Sequence, residues 1–479
     1  MLAAFAVAFA QAAAADENVS AYHGSTGRSG NFVVATLSWD RAAKLHADAA
    51  FHAEFPGHVY AQPLYWRGIL IVATEDNTVE ALDGKTGRMV WQRALGRPAT
   101  RSELSCGNID PLGITGTPVI DEANGTLYLD ANVSTENGPR HQLFALGLKD
   151  GAVVSGWPVD VTAALQQKQQ NFASRDQNER GALTILGGRL YVPFGGHFGD
   201  CGQYRGWVVG ISLNNPKDVV SWATRAKGGG IWAPGGIASD GNSLYVATGN
   251  TFGAASWSDG EAVIRLSPNL SPPSGSRDYF APADWQSLDR SDLDLGGANP
   301  LLLDFAGGRH YVLALGKDAR AYLLDRDNLG GIGGVLAVET VSTAAIRTAP
   351  AAYPGPDGML VAFQGAGTQC PSRSGSGLTV LKITAGPKPT MTTAWCADPK
   401  GRGSPMVTTT DGRANPIVWI LGAEGDNRLH GFRGDNGAPL FAGGATAEGM
   451  AGLHHFQTLI AAGDRLYVAG DGRIYAFAY

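Results

Sequence analysis

The 479-residue sequence predicts an all-β fold, an eight-bladed β-propeller in which the N- and C-terminal segments share one blade. A repeat carries the prediction first. Segments that start on a small or turn residue, run through an apolar strand, meet Gly or Asp and resume as a second apolar strand recur at intervals of roughly 52 to 65 residues. Their openings are HVYAQPLYW from His58, GITGTPVID from Gly113, NERGALTIL from Asn178, GIWAPGGIA from Gly230, GGANPLLLD from Gly296, TAPAAYPGP from Thr348, GRGSPMVTT from Gly401 and HFQTLIAAG from His455, eight units in all. The second observation is the strand grammar inside them. Pairs such as ILIVAT with TVEALD, SLYVATG with AVIRLS and YVLALG with AYLLD are short β-branched and aromatic runs bounded by Gly, Asn and Asp, as antiparallel hairpins require. The third is the ending: the last unit stops at Tyr479 after about three strands, and AAFHAEF, Ala49 to Phe55, stands ahead of the first unit as the strand it lacks.

Composition agrees with many tight turns and few long helices. Glycine contributes 66 residues and charged residues 17% of the chain. A formal charge of −6 with no Lys/Arg run gives no electrostatic footprint for nucleic acid or anionic lipid. No segment reaches the roughly 18 uninterrupted apolar residues of a membrane span. The N-terminus, MLAAFAVAFAQAAAADEN, is an apolar run followed by small residues, with Ala13 and Ala15 suited to signal peptidase ahead of Asp16. Residues 1–15 are therefore expected to be a signal peptide and 16–479 a single propeller domain, periplasmic or secreted. A buried or membrane-lying N-terminal helix is the other reading of that run.

Along the chain, helical periodicity is weak and confined to Trp39 to His52 and Val161 to Gln170. In the first unit Asp83 and Gly87 are expected to make a turn, with Trp91 packed between adjacent blades for about 2–3 kcal/mol of apolar burial. The four cysteines form no CxxC or CxxCH, so neither a zinc ribbon nor a covalent haem is available. An even count in an oxidising compartment implies two disulfides, and of three connectivities Cys106 with Cys201 and Cys370 with Cys396 is preferred, the latter two lying in neighbouring turns of one unit.

Propeller sites sit where loops converge on one mouth of the central channel, so chemistry is sought at equivalent loop positions of successive units. FGGHFGDCGQYRGW, Phe194 to Trp207, places Asp200 between two strands of the third unit. The fourth reads GGGIWAPGGIASDGNSLYVATGN, with Trp232 in a glycine-rich approach and Asn250 closing a strand. DLDLGG then supplies Asp292 and Asp294, and LGKDARAYLLD supplies Lys317 and Arg320. Asp200, Asn250, Asp292 and Asp294 are a hard-oxygen set that selects calcium-like ions over zinc or copper. On an extended backbone Asp292 and Asp294 would point to one side, Asp292 taking a proton from an alcohol and Asp294 adding charge at a metal. Each residue also has a plain structural reading: turn residue for Asn250, loop cap for Asp200, solvated acidic loop for the Asp pair, blade packing for Trp232, surface charge for Lys317 and Arg320.

The order Asp200, Trp232, Asn250, Asp292-x-Asp294, Lys317 resembles that of the pyrroloquinoline-quinone (PQQ) dehydrogenases. The resemblance implies Trp232 as the floor under the quinone, Lys317 and Arg320 as further cofactor-binding groups, Asn250 and Asp200 on the metal, and Asp292 as catalytic residue. The second acid, Asp294, is similar to a feature of lanthanide-using members, so the implied ion is calcium or a lanthanide. The implied activity is oxidation of an alcohol or sugar, a small-molecule substrate, with an external electron acceptor. ALDGKTGRMVW, Ala81 to Trp91, is similar to the tryptophan-docking motif of these propellers. At motif level the likeness is specific from Phe194 to Gly330. The chain departs from it where Asp200 replaces a Glu and where Cys106-Gly107-Asn108-Ile109-Asp110 stands in place of adjacent cysteines that ring the quinone. The alternative is a non-catalytic periplasmic scaffold or binding propeller, similar to the outer-membrane assembly propellers, whose partner is a periplasmic protein. A rival chemistry is a transition metal held by histidines at the mouth, drawn from His58, His454, His455 and His197.

Overall fold

Short apolar runs pair antiparallel with their chain neighbours to give eight sheets in sequence order, and these are the blades of a closed propeller. The computed structural model describes residues 18–370, 377–443 and 449–479; the expected signal peptide lies outside the described residues. The blades span 64–94, 119–160, 177–223, 238–281, 301–340, 351–397, 406–442 and 459–478. Each runs from an inner strand on the channel to an outer one. No helix among the described residues is long and apolar enough to cross a membrane.

Blade 8 has only three strands of its own, Leu459–Ala462, Arg465–Gly470 and Arg473–Ala478. Its exposed edge is closed by the N-terminal segment: Ala53 and Glu54 pair with Ile474 and Arg473, within the expected Ala49 to Phe55 stretch. A second short strand, His46–Ala47, pairs with Ala478 and Phe477 and lies outside that stretch. The shared blade thus follows from the need to cover a bare strand edge.

The segment before it was not foreseen. Asn31–Val33 runs parallel to Val407–Thr409 of blade 7. Residues 18–30 cross the channel and pair with the inner edges of several blades: Val19 with Tyr65, Ser20 O with Ile120 N–H, Thr26 O with Ser239 N–H, Ser29 O with Ala352 N–H and Gly30 O with Val407 N–H. The inner strands would otherwise present unpaired backbone groups to the channel. Arg28, fully buried, completes the plug by donating to the carbonyls of Leu183, Ile237 and Tyr22 at 2.7, 3.1 and 3.2 Å.

Blades are joined by tryptophans. Trp91 donates its indole N–H to Leu148 O of blade 2 at 2.9 Å and lies flat on Gly151, where an added Cβ would come within 2.6 Å of the ring. Trp395 repeats the device on Gly434 O and Gly437 of blade 7. Asp83 fixes its turn by accepting from Lys85 N–H and Thr86 N–H. Helices form at Trp39–Ala42 and Val161–Gln166, inside the weakly periodic stretches, and also at Trp285–Ser291, which had no such signal. The disulfides are Cys106–Cys201 and Cys370–Cys396.

Candidate functional site

Inner strands begin, and second strands end, at the same mouth of the channel. Trp232 lies on the approach to the inner strand of blade 4, Ala238–Ser239, and Asn250 just beyond its second strand, Leu244–Thr248. Asp294 and Lys317 hold the matching positions around Leu301–Phe305 and Arg309–Leu315 of blade 5. Antiparallel pairing therefore brings four residues far apart in sequence to one seam.

The centre of the seam is an ammonium between two carboxylates. Lys317 Nζ lies 2.6 Å from Asp294 Oδ2 and 2.8 Å from Asp292 Oδ1. Asp294 is buried, its side chain 3% exposed, whereas that of Asp292 is 68% exposed and faces solvent. Asp294 also accepts from Asn250 N–H at 3.0 Å. The Asn250 carbonyl accepts from Gly229 N–H at 2.7 Å, and its side-chain amide makes no hydrogen bond within the described residues. Burial alone would lower the Lys317 pKa, but the two carboxylates override it and hold the ammonium charged. The same Nζ stands 5.2 Å from the Trp232 ring centroid.

A further ring of acids surrounds this triad. Glu261 is buried, receives Leu295 N–H at 2.7 Å, and is pushed up to about 9 by burial and the Asp294 charge. Asp289, raised by burial, accepts from Thr251 N–H and Oγ1. Tyr204 donates to Asp200 Oδ1 at 2.6 Å; burial and that bond raise the phenol, and Asp294 and Asp292 raise it further. On the other flank of Trp232 the Arg180 guanidinium lies 5.8 Å from the indole and 4.9 Å from the ring of Phe456. Among the described residues Arg180 has no carboxylate partner. It borders a narrow space between the mouth and the plug, lined also by Tyr22, Tyr60 and Gln457.

Trp232, Asn250, Asp292, Asp294 and Lys317 thus come together, whereas Asp200 is bonded to Tyr204 and makes no hydrogen bond or ion pair to this group among the described residues. Two details correct the sequence reading. Asp292 and Asp294 are not on an extended backbone: Asp292 ends the helix Trp285–Ser291 at φ 52°, ψ 42°, and Asp294 leads into a 3-10 turn, yet both still reach Lys317. Arg320 is turned to Asp318 at 2.5 Å and Asp284 at 3.0 Å, so its charge is matched by those two carboxylates and it makes no bond to the Lys317 group. Arg180 and Glu261 were missed. Arg180 stands in NERGALTIL, the third opening, where it aligns with Trp232 of GIWAPGGIA; comparing openings position by position would have found it. Glu261 gives no comparable signal, being an isolated acid ahead of an apolar run. His197 is buried elsewhere and bonds Arg175 O at 3.1 Å, while His58 and His454 meet at the seam of blades 8 and 1.

A family model described as the outer membrane protein assembly factor BamB matches residues 30–192, from the N-terminal segment into blade 3 and short of the blade 4–5 seam. The quinohemoprotein alcohol dehydrogenase from Comamonas testosteroni superposes with a TM-score of 0.66 at 14% identity, over 96% of this chain and 80% of that one. A europium-containing methanol dehydrogenase gives 0.64 at 12%, over 96% and 98%. BamB from Moraxella catarrhalis gives 0.52 at 16%, over 91% and 98%. At these identities the likeness is one of fold, the propeller of the quinoprotein dehydrogenases. No curated protein sequence matches the chain.

Proposed function

We propose that this is an exported, periplasmic or secreted quinoprotein-like propeller whose blade 4–5 seam binds PQQ, together with calcium or a lanthanide, and oxidises an alcohol or sugar. The observation that carries the reading is the pair of cations on Trp232: Lys317 at 5.2 Å and Arg180 at 5.8 Å from the indole centroid, Arg180 forming no ion pair or hydrogen bond among the described residues, with Glu75 acting on it only from a distance. An interior guanidinium with five donors and no acceptor calls for an anion, and a flat ring bearing carboxylates, stacked on Trp232, would supply both partners. PQQ fits that description and would supply the hydride-accepting quinone.

The chain's own residues divide the remaining work. Trp232 and Arg180 would orient the ring. Asp292, exposed and hydrogen-bonded to Lys317, is the carboxylate placed to take the hydroxyl proton of a substrate entering from solvent, and Lys317 would stabilise the oxygens at that point. The metal part fits less directly. Calcium or a lanthanide would compete with the Lys317 ammonium for Asp292 and Asp294, with the uncommitted Asn250 amide as a further oxygen ligand and Asp200 engaged by Tyr204. The electrons would leave to an external acceptor.

A second reading is a scaffold propeller that binds a periplasmic protein, and the Lys317 ammonium already seated between Asp292 and Asp294, together with the BamB model match, favours it. Protein incubated with PQQ and either calcium or a lanthanide separates the two. The dehydrogenase reading expects alcohol- or sugar-dependent dye reduction that Asp292→Asn abolishes while PQQ stays bound; dye reduction absent with every ion supports the scaffold, and dye reduction unaffected by Asp292→Asn would remove Asp292 from the role of base.

A further inference from the structure

We propose that His58, His454 and Asp471 form a second, independent site, for a divalent transition ion of zinc type, which clasps blade 8 to blade 1 where the ring closes. Among the described residues they are the one group of three His, Cys, Asp or Glu side chains whose ligand atoms all lie within 4.8 Å of one another. They come from three separate stretches. His58 follows the N-terminal strand Ala53–Glu54 that completes blade 8 and precedes Leu64–Trp66 of blade 1; His454 precedes Leu459–Ala462; Asp471 sits in the turn between Arg465–Gly470 and Arg473–Ala478. No local turn requires this convergence.

Asp471 is the hub. Its Oδ2 lies 2.8 Å from His58 Nδ1, and both its oxygens lie 2.9 Å from His454 Nε2. Val59 N–H donates to Oδ1 at 3.0 Å and fixes the carboxylate's rotation. The imidazoles are edge-on to one another, at 71°, so their nitrogens can aim at one point. Tyr60 stacks on His454 at 4.4 Å, and Gln457 Oε1 accepts His454 N–H at 2.8 Å while its amide donates to Val59 O. Such outer contacts orient ligands. Glu75 N–H donates to His58 O at 2.9 Å and so fixes the backbone that carries the first imidazole.

Two imidazoles and one carboxylate suit zinc, nickel or copper rather than calcium. With His58 half exposed, a fourth position is open to water, as in three-ligand zinc sites. An ion there would tie the linker entering blade 1 to the last hairpin of blade 8, adding a bond to the closure that Gly472 N–H to Gly57 O already makes.

Tag-free full-length protein, stripped with a chelator, should bind one equivalent of zinc by calorimetry near neutral pH, undiminished by excess calcium, and its melting temperature should rise. His58→Ala, a substitution at an exposed position that leaves the fold intact, should weaken this site by roughly tenfold or more and remove the thermal shift. His454→Ala or Asp471→Asn should abolish it, and the cobalt-loaded wild type should show the visible bands of a low-coordinate nitrogen–oxygen site that His58→Ala loses. Absence of zinc binding in the wild type, or a stoichiometry unchanged in His58→Ala and His454→Ala, would leave the three residues a hydrogen-bonded network and overturn the proposal. PQQ plays no part in any arm, so the result is separable from that of the blade 4–5 seam.

Discussion

Lys317 sets what Asp292 and Asp294 can do. Its ammonium compensates a carboxylate that burial disfavours, and removing one member of such a pair leaves the other uncompensated. Lys317→Met is expected to cost about 3–5 kcal/mol at neutral pH in urea denaturation. Adding Asp294→Asn should recover most of it, whereas a surface role for Lys317 would leave both variants near wild type. Glu179 gives a prediction of pH dependence. It is buried, receives Gly116 N–H at 3.1 Å, and burial followed by the charge of Asp130 pushes its carboxyl well above the usual range. Its folded pKa lies above its unfolded one, so its stabilising contribution is full below roughly pH 4.5 and is lost as pH rises through the raised value. Glu179→Gln should accordingly raise the melting temperature at pH about 8 and change it little at pH about 4. The Asp-x-Asp pair, Trp232 and Lys317 were legible because they stand at repeated positions of adjacent units. Arg180 shares that position but was not compared across units, and Glu261 acquires its character only from burial beside Asp294.

Strand hairpins announced themselves by alternating β-branched runs, and blade 8's missing strand could be inferred from the count. The segment 18–33 could not, because it packs as a plug through backbone hydrogen bonds, which leave no pattern in side-chain type. Arg28 is its anchor. Arg28→Met would leave the carbonyls of Leu183, Ile237 and Tyr22 without that donor, at about 1–3 kcal/mol for each that no water reaches. The expected outcome is a lower melting temperature and faster backbone exchange at Ile120, Ser239, Ala352 and Val407, whose N–H groups donate to the plug. Unchanged exchange at those four amides would mean that the plug does not depend on Arg28. Trp91 and Trp395 show the same limit from the other side. The docking turn was readable at Asp83, but the glycines that receive each tryptophan lie one blade further on.

At the scale of the molecule the ring is closed by N-terminal strands and braced by two disulfides. On the loop-entropy model the Cys370–Cys396 bridge, 26 residues apart in sequence, contributes about 3 kcal/mol. The double Cys370→Ser, Cys396→Ser variant should unfold at correspondingly lower urea concentration; an unchanged midpoint would show that the propeller's packing already holds blade 6. The fold itself decides nothing about activity, because one propeller serves dehydrogenases and assembly factors alike. The decision rests on the two cations that flank Trp232. The most direct measurement is PQQ binding to the purified wild type, Arg180→Met and Trp232→Leu, followed by tryptophan fluorescence quenching and the absorption of the bound quinone. The account predicts stoichiometric binding to the wild type, at least about tenfold weaker binding to each variant, and quenching lost with Trp232. No binding by the wild type, or binding that neither substitution alters, would contradict it.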